Sequence, residues 1–258
     1  MSRMFKTLTL ILALTISIMA QQSKVVKEVQ DPTFKGNIEA AEAYRLGNDH
    51  YSKNEIAKAL EAYQKSNQHV PNNPKVLYAM ALSYKKLGNT AKAIESANAA
   101  VAANTNYDKA FNLLGSIYMD SKRFSDAYSA YQKASQIDTT EYKYALSMAK
   151  AAFFGGNYDN AAAGFKKTLG MKKVPAGKKG EIYGLLIRTN LDAGQYDDVI
   201  SVYNQDPVNK KNKNSGLYYG EALYRLGKKQ EALAVFQGLA GQNVPSAKQW
   251  VEKIKKEK

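Results

Sequence analysis

Lysine recurs at a fixed interval in this chain: Lys75, Lys109 and Lys143 lie 34 residues apart. Tyr44, Tyr78 and Asn112 keep the same interval, as do Asn48, Leu82, Ser116 and Lys150. Ammonium groups beside phenols and amides suit an extended acidic peptide, because charge-assisted hydrogen bonds to carboxylates are about twice as strong as neutral ones. The alternative is a solvated face, the ordinary state of lysine. A second basic set, Lys172, Lys173, Lys178 and Lys179 followed by Lys210, Lys211 and Lys213, would attract an anionic polymer or lipid head groups. Solvated loops are again the alternative. Acid–base, metal and nucleophilic chemistry is poorly served. His50 and His69 have neither a second histidine nor an acid at ligand spacing. The paired acids Asp197-Asp198, and Glu39 with Glu42, fall at turns or helix starts, where a carboxylate favours the helix dipole. The sequence has no Cys, which excludes a disulfide framework, a zinc-thiolate site and a thiol nucleophile. The glycines form no phosphate loop. No catalytic residue, metal site or cofactor is implied.

The lysine interval is the interval of the whole scaffold. Asn54-Glu-Ile-Ala-Lys-Ala59, Gly88-Asn-Thr-Ala-Lys-Ala93, Lys122-Arg-Phe-Ser-Asp-Ala127 and Gly156-Asn-Tyr-Asp-Asn-Ala161 begin 34 residues apart. Gly194-Gln-Tyr-Asp-Asp-Val199 follows after 38 and Gly227-Lys-Lys-Gln-Glu-Ala232 after 33. About 14 residues of helical apolar period flank each turn, so the chain reads as six antiparallel helix pairs. In the first helix of most pairs a large apolar residue precedes a small one: Leu46-Gly47, Met80-Ala81, Leu114-Gly115, Met148-Ala149 and Tyr219-Gly220. In the second, Ala59, Ala127, Ala161 and Ala232 stand four residues before Tyr63, Tyr131, Phe165 and Phe236. Small residues let helix backbones approach, and the ring fills the space beside the contact.

This pattern resembles the tetratricopeptide repeat (TPR) family: Leu46-Gly47, Ala59, Tyr63 and Pro71 match in the first pair, and Leu114-Gly115, Tyr118, Ala127, Tyr131 and Ala134 in the third. The resemblance covers about Ala40 to Pro245. It implies an all-α solenoid of six hairpins in a right-handed superhelix, over residues 38–245, and a non-enzymatic scaffold whose first helices line a concave groove. On that reading the partner-binding groove holds Tyr44, Asn48, Lys75, Tyr78, Lys109, Asn112, Lys143 and Lys150. The family's carboxylate clamp matches at Asn48 and Lys109 only, with Tyr44, Ala79 and Leu113 in the other three places. The fifth pair carries Ile187, Asn190 and Val199 where small or apolar residues are expected, and follows an excess within Lys172–Lys179, so looser packing is expected there. Residues 246–258 set Trp250, Val251 and Ile254 on one face and suit a capping helix with a basic tail.

With 258 residues, 45% of them hydrophobic, the chain can form a sizeable core. The formal net charge is +14, which leaves the partner unnamed. Residues 1–20 resemble a secretory signal peptide: Arg3 and Lys6 precede the apolar run from Thr7 to Ala20, which is too short to span a membrane comfortably. Residues 21–37 read as a linker ending at Asn37, a helix N-cap. The expected protein is exported, most readily periplasmic. It binds a protein or extended acidic peptide in the assembly or regulation of an envelope complex. The alternative is a binder of an anionic envelope polymer or membrane surface through the basic loops. Export and the lack of a recognised motif disfavour nucleic acid, and no transmembrane segment is expected after cleavage.

Overall fold

The computed structural model describes residues 31–205 and 211–257, together with Met19. The residues read above as a signal peptide, apart from Met19, and most of those read as a linker therefore lie outside the described residues, as does Lys210. The described structure is all-helical. After a 3-10 turn at Pro32–Phe34 come α1 (Ile38–Ser52), α2 (Ile56–His69), α3 (Pro74–Lys86), α4 (Thr90–Ala103), α5 (Asp108–Asp120), α6 (Phe124–Ile137) and α7 (Tyr142–Phe154). They are followed by α8 (Tyr158–Leu169), α9 (Ala176–Asp192), α10 (Tyr196–Gln205), α11 (Lys213–Arg225), α12 (Lys229–Gly241) and α13 (Pro245–Lys256). No described helix is long and apolar enough to cross a membrane. The chain divides within α5 into two compact units, Met1–Ile117 and Tyr118–Lys258.

The turns explain the repeat. Asn54, Gly88, Lys122, Gly156, Gly194 and Gly227, the residues that open the six turn motifs, all adopt positive φ, between 57° and 77°. The next residue in each case donates its N–H to the carbonyl five positions back, as from Asn89 to Tyr84 (2.9 Å), Arg123 to Tyr118 (2.8 Å) and Lys228 to Leu223 (2.9 Å). This is the left-handed closure that ends one helix and redirects the chain into the next. Glycine adopts it freely, whereas Lys122 at φ 57° carries a Cβ into a region that costs about 1–2 kcal/mol. Lys122→Gly is therefore expected to stabilise the protein by about 0.5–1 kcal/mol, after allowance for glycine's greater freedom when unfolded. Urea denaturation measures it, and a loss of stability would mean that the lysine side chain holds the turn.

In unit 1, α1 and α3 both pack on α2, and α3 packs on α4. A Cβ on Gly47 would collide with the ring of Tyr63, which is 2% exposed. The predicted small-residue and aromatic pair thus meets across the hairpin. Unit 2 repeats the device: Gly220 faces Phe236, which is fully buried. Its final helix α13 stacks Trp250 on that ring, with centroids 5.1 Å apart and planes within 2°. The capping helix thus closes a core of Leu223, Ala232, Phe236, Leu239 and Ile254.

Three expectations are corrected. Residues 31–36 are not linker, because they form a packed turn in which Phe34 is fully buried with Ala40, Ala41, Tyr63 and Val76. The fifth hairpin is not loose at its bulky positions. Ile187 and Val199 are fully buried in an extensive core with Phe165, Ile182 and Leu186. Tyr203, which follows Val199 by four residues, is half-buried and stacks on Tyr219 at 4.2 Å, so bulk at Ile187 is answered by a ring moved onto the next hairpin. Lastly, α9 begins at Ala176, which places Lys178 and Lys179 in its first turn, not in a loop.

Candidate functional site

The candidate groove residues of unit 1 sit on α1, α3 and α5, and the structure shows what each touches. Asn48 accepts a hydrogen bond from the Tyr63 hydroxyl at 2.8 Å, so its amide oxygen is committed within the first hairpin. Tyr44 lies with its ring 5.8 Å from that of Tyr63 and 5.3 Å from that of Phe34. Tyr78 packs on Tyr107, centroids 5.3 Å apart. Burial, followed by neighbouring phenols and acids, pushes the Tyr78 and Tyr107 phenols up, so both stay protonated donors at neutral pH. Lys109 is exposed and Asn112 half-buried.

Lys75 is ion-paired with Asp31. Burial by itself would raise the Asp31 carboxyl. The Lys75 ammonium and the Thr33 hydroxyl and amide outweigh it and hold that carboxyl below the usual carboxylate range. The Asp31 side chain accepts from the Thr33 N–H (3.0 Å) and hydroxyl (2.7 Å), capping the 3-10 turn. Asn73, 2% exposed, joins this turn to the scaffold: its Nδ2 donates to the Thr33 carbonyl at 2.9 Å, and its Oδ1 accepts from the Lys75 N–H at 3.0 Å as the N-cap of α3. Tyr44 and Lys75 are thus brought together around a segment that by its sequence reads as linker. Asp31, Phe34, Asn73 and Tyr107 were missed. The available signal was local: Asp31-Pro32 before Thr33 is an N-cap with proline at the first position.

In unit 2, Lys143 is exposed and Lys150 reaches Glu181 at 3.0 Å, as Lys178 does. A cavity of about 380 Å³ opens between α7, α9 and α11, lined by Phe153, Glu181, Gly184, Leu185, Arg188, Ser215 and Tyr218. Arg188 donates to both carboxylate oxygens of Asp192 (2.8 and 2.9 Å) and lies 5.3 Å from the Tyr218 ring centroid. Of the basic loop set, Lys172, Lys179 and Lys211 are exposed. Lys173 donates to the Thr140 hydroxyl at 2.9 Å, and Lys213 to the Gln242 carbonyl at 3.0 Å, where a cation also meets the C-terminal end of α12. Part of this basic charge is therefore used to tie neighbouring inter-hairpin loops together.

His50 does have an acid partner. Its Nδ1 lies 2.5 Å from Glu55 across the first turn, a pairing that sequence spacing did not reveal because the turn folds the chain back on itself. Among the described residues, no three His, Cys, Asp or Glu side chains are placed to hold a metal ion.

Family models described as the TPR repeat or the tetratricopeptide repeat match residues 47–88, 78–141 and 215–243. Small glutamine-rich tetratricopeptide repeat-containing protein 2 of Mycosarcoma maydis is 29% identical over 117 residues, 45% of this chain. The chain spans only 33% of that relative's length. A crystal structure of the MamA protein is similar with a TM-score of 0.58 at 21% identity, covering 75% of this chain and 94% of the other. A tetratricopeptide repeat protein from Parabacteroides merdae gives 0.51 at 18% identity over 90% of this chain and 89% of its own. At such identities the likeness is one of fold. Taken with the turn closures and the small-residue and aromatic pairs, these matches place tetratricopeptide repeats within residues 47–141 and 215–243, and the fold is an all-α solenoid of stacked helix pairs with a terminal helix.

Proposed function

We propose that this protein is an exported scaffold that binds a protein partner through an extended acidic segment laid on the first helices of its hairpins. Its place is in the assembly or regulation of a cell-envelope complex. The observation that carries the binding mode is the unit 1 site, where Lys75 already holds a carboxylate and Tyr44 already packs on an aromatic ring. Export rests on the charged start and apolar run of residues 1–20.

The test compares two variants of the full chain in titrations against a library of labelled acidic peptides. One replaces Lys75, Lys109 and Lys143 by Ala; the other replaces Lys172, Lys173, Lys178 and Lys179 by Ala. Exposed ion pairs contribute about 0.2–1 kcal/mol each. Because Lys75 is already paired internally, Lys109 in unit 1 and Lys143 in unit 2 each supply about 0.2–1 kcal/mol to a segment bound on that unit, or a ~1.4- to 5-fold loss of affinity at 1.4 kcal/mol per decade. The loss should shrink as salt shortens the screening length. If only the loop variant loses affinity, the basic loops and an anionic polymer are the better reading.

A further inference from the structure

We propose that Asp31–Phe34 is a tethered occupant of the unit 1 site, and that the external ligand displacing it has the same chemistry: a carboxylate followed three residues later by an aromatic ring. This rests on the scaffold reading above and adds to it the identity and the regulation of one site. The segment is a separate 3-10 turn and not the first turn of α1, with its Phe34 ring fully buried against the unit 1 core. Lys35 and Gly36 both take positive φ, 53° and 73°, and so break the chain between the turn and α1. Besides that burial it meets the scaffold through three kinds of contact that a bound peptide could also make. One carboxylate meets the Lys75 ammonium, one backbone carbonyl is gripped by Asn73, and one ring lies against Tyr44. Two of these receiving groups, Tyr44 and Lys75, belong to the columns that recur through the array on its first helices. The third, Asn73, is almost wholly buried and offers its amide N–H to the Thr33 carbonyl at 2.9 Å and to the Thr33 hydroxyl at 3.3 Å, so it grips the turn through both backbone and side chain.

A segment tied to its site by a short linker competes at an effective concentration in the millimolar range. An external peptide then binds with its intrinsic affinity scaled by the fraction of molecules whose site is free. If the tether is docked nine-tenths of the time, opening it tightens apparent binding about tenfold.

The experiment titrates a fluorescent peptide spanning residues 29–35 into three forms of the full chain: wild type, Asp31→Asn with Phe34→Ala, and that double variant with Lys75→Ala added. Helical circular dichroism and thermal unfolding confirm that each is folded. Should Phe34→Ala prevent folding, Asp31→Lys, which sets a like charge against Lys75 and leaves Phe34 in place, is the substitute. The expected result is about tenfold tighter binding to the opened variant than to wild type, and loss of that gain with Lys75→Ala. Equal binding to wild type and opened variant would overturn the tether, as would no binding to a folded, opened variant. The scaffold reading is judged separately by an acidic peptide lacking the aromatic residue. If that peptide binds wild type and opened variant alike and depends on Lys75, the scaffold reading stands and the tethered-occupant proposal falls.

Discussion

Gly220→Leu is expected to destabilise the protein by about 1–3 kcal/mol, the usual cost of forcing extra carbons into a packed core. Even the first added atom has nowhere to go: a Cβ on Gly220 would sit 2.8 Å from Cε1 and Cζ of Phe236. That ring cannot withdraw, since it is fully buried and stacked on Trp250 of the capping helix. The clash is therefore transmitted to α13, and the variant should lose protection from hydrogen exchange in α13 as well as α11. Gly238 on α12 is the matched control. A Cβ there would meet no atom within 4 Å, and the residue stands in a helix, where alanine is favoured over glycine by about 1 kcal/mol. Gly238→Ala should thus stabilise by up to that amount. Urea midpoints that moved in the same direction for both variants would refute this account of the Gly220 contact.

Asn190→Leu is expected to raise stability by about 1–3 kcal/mol, the penalty of a buried polar group without a partner. Asn190 is fully buried on α9, and neither its side-chain oxygen nor its nitrogen has a hydrogen-bond partner among the described residues. Ile182, Leu186, Ile187, Val199 and Val202 of the same hairpin are all in the unit 2 core. Leucine keeps the branch at Cγ that asparagine has and exchanges its two polar atoms for methyl groups, so the surrounding core receives apolar surface in nearly the same shape. The measurement is the unfolding midpoint at constant denaturant dependence. A fall in stability would show that the amide is hydrogen-bonded in solution and that this position is polar by requirement.

The repeat was legible in the sequence because its determinants are local and recur. A left-handed residue at each turn fixes where one helix ends. The small residue of the first helix then lies 16 positions before the aromatic of the second, as Gly47 does before Tyr63 and Gly220 before Phe236. A hairpin of fixed length brings positions at that separation face to face whatever lies elsewhere, so spacing suffices to predict the contact. Asn37 as the cap of α1 was legible for the same reason, its Oδ1 accepting from the Ala40 N–H at 2.8 Å.

The candidate site was legible only as columns of residue types. Which members of those columns face a partner, and which are already engaged, was decided by tertiary structure. Asn48 is taken by Tyr63, Lys150 by Glu181 and Lys75 by Asp31, and nothing in the interval of 34 residues foretells any of these pairings. Asp31 and Phe34 occur once, outside the period, so no repetition marks them. Their partners are separated from them by a chain reversal at Lys35 and Gly36 and, for Lys75, by a whole hairpin. Periodic sequence determines contacts within a hairpin because their geometry repeats with it. Contacts between a unique segment and the array depend on where the completed scaffold places its surface groups, and only the folded chain contains that information.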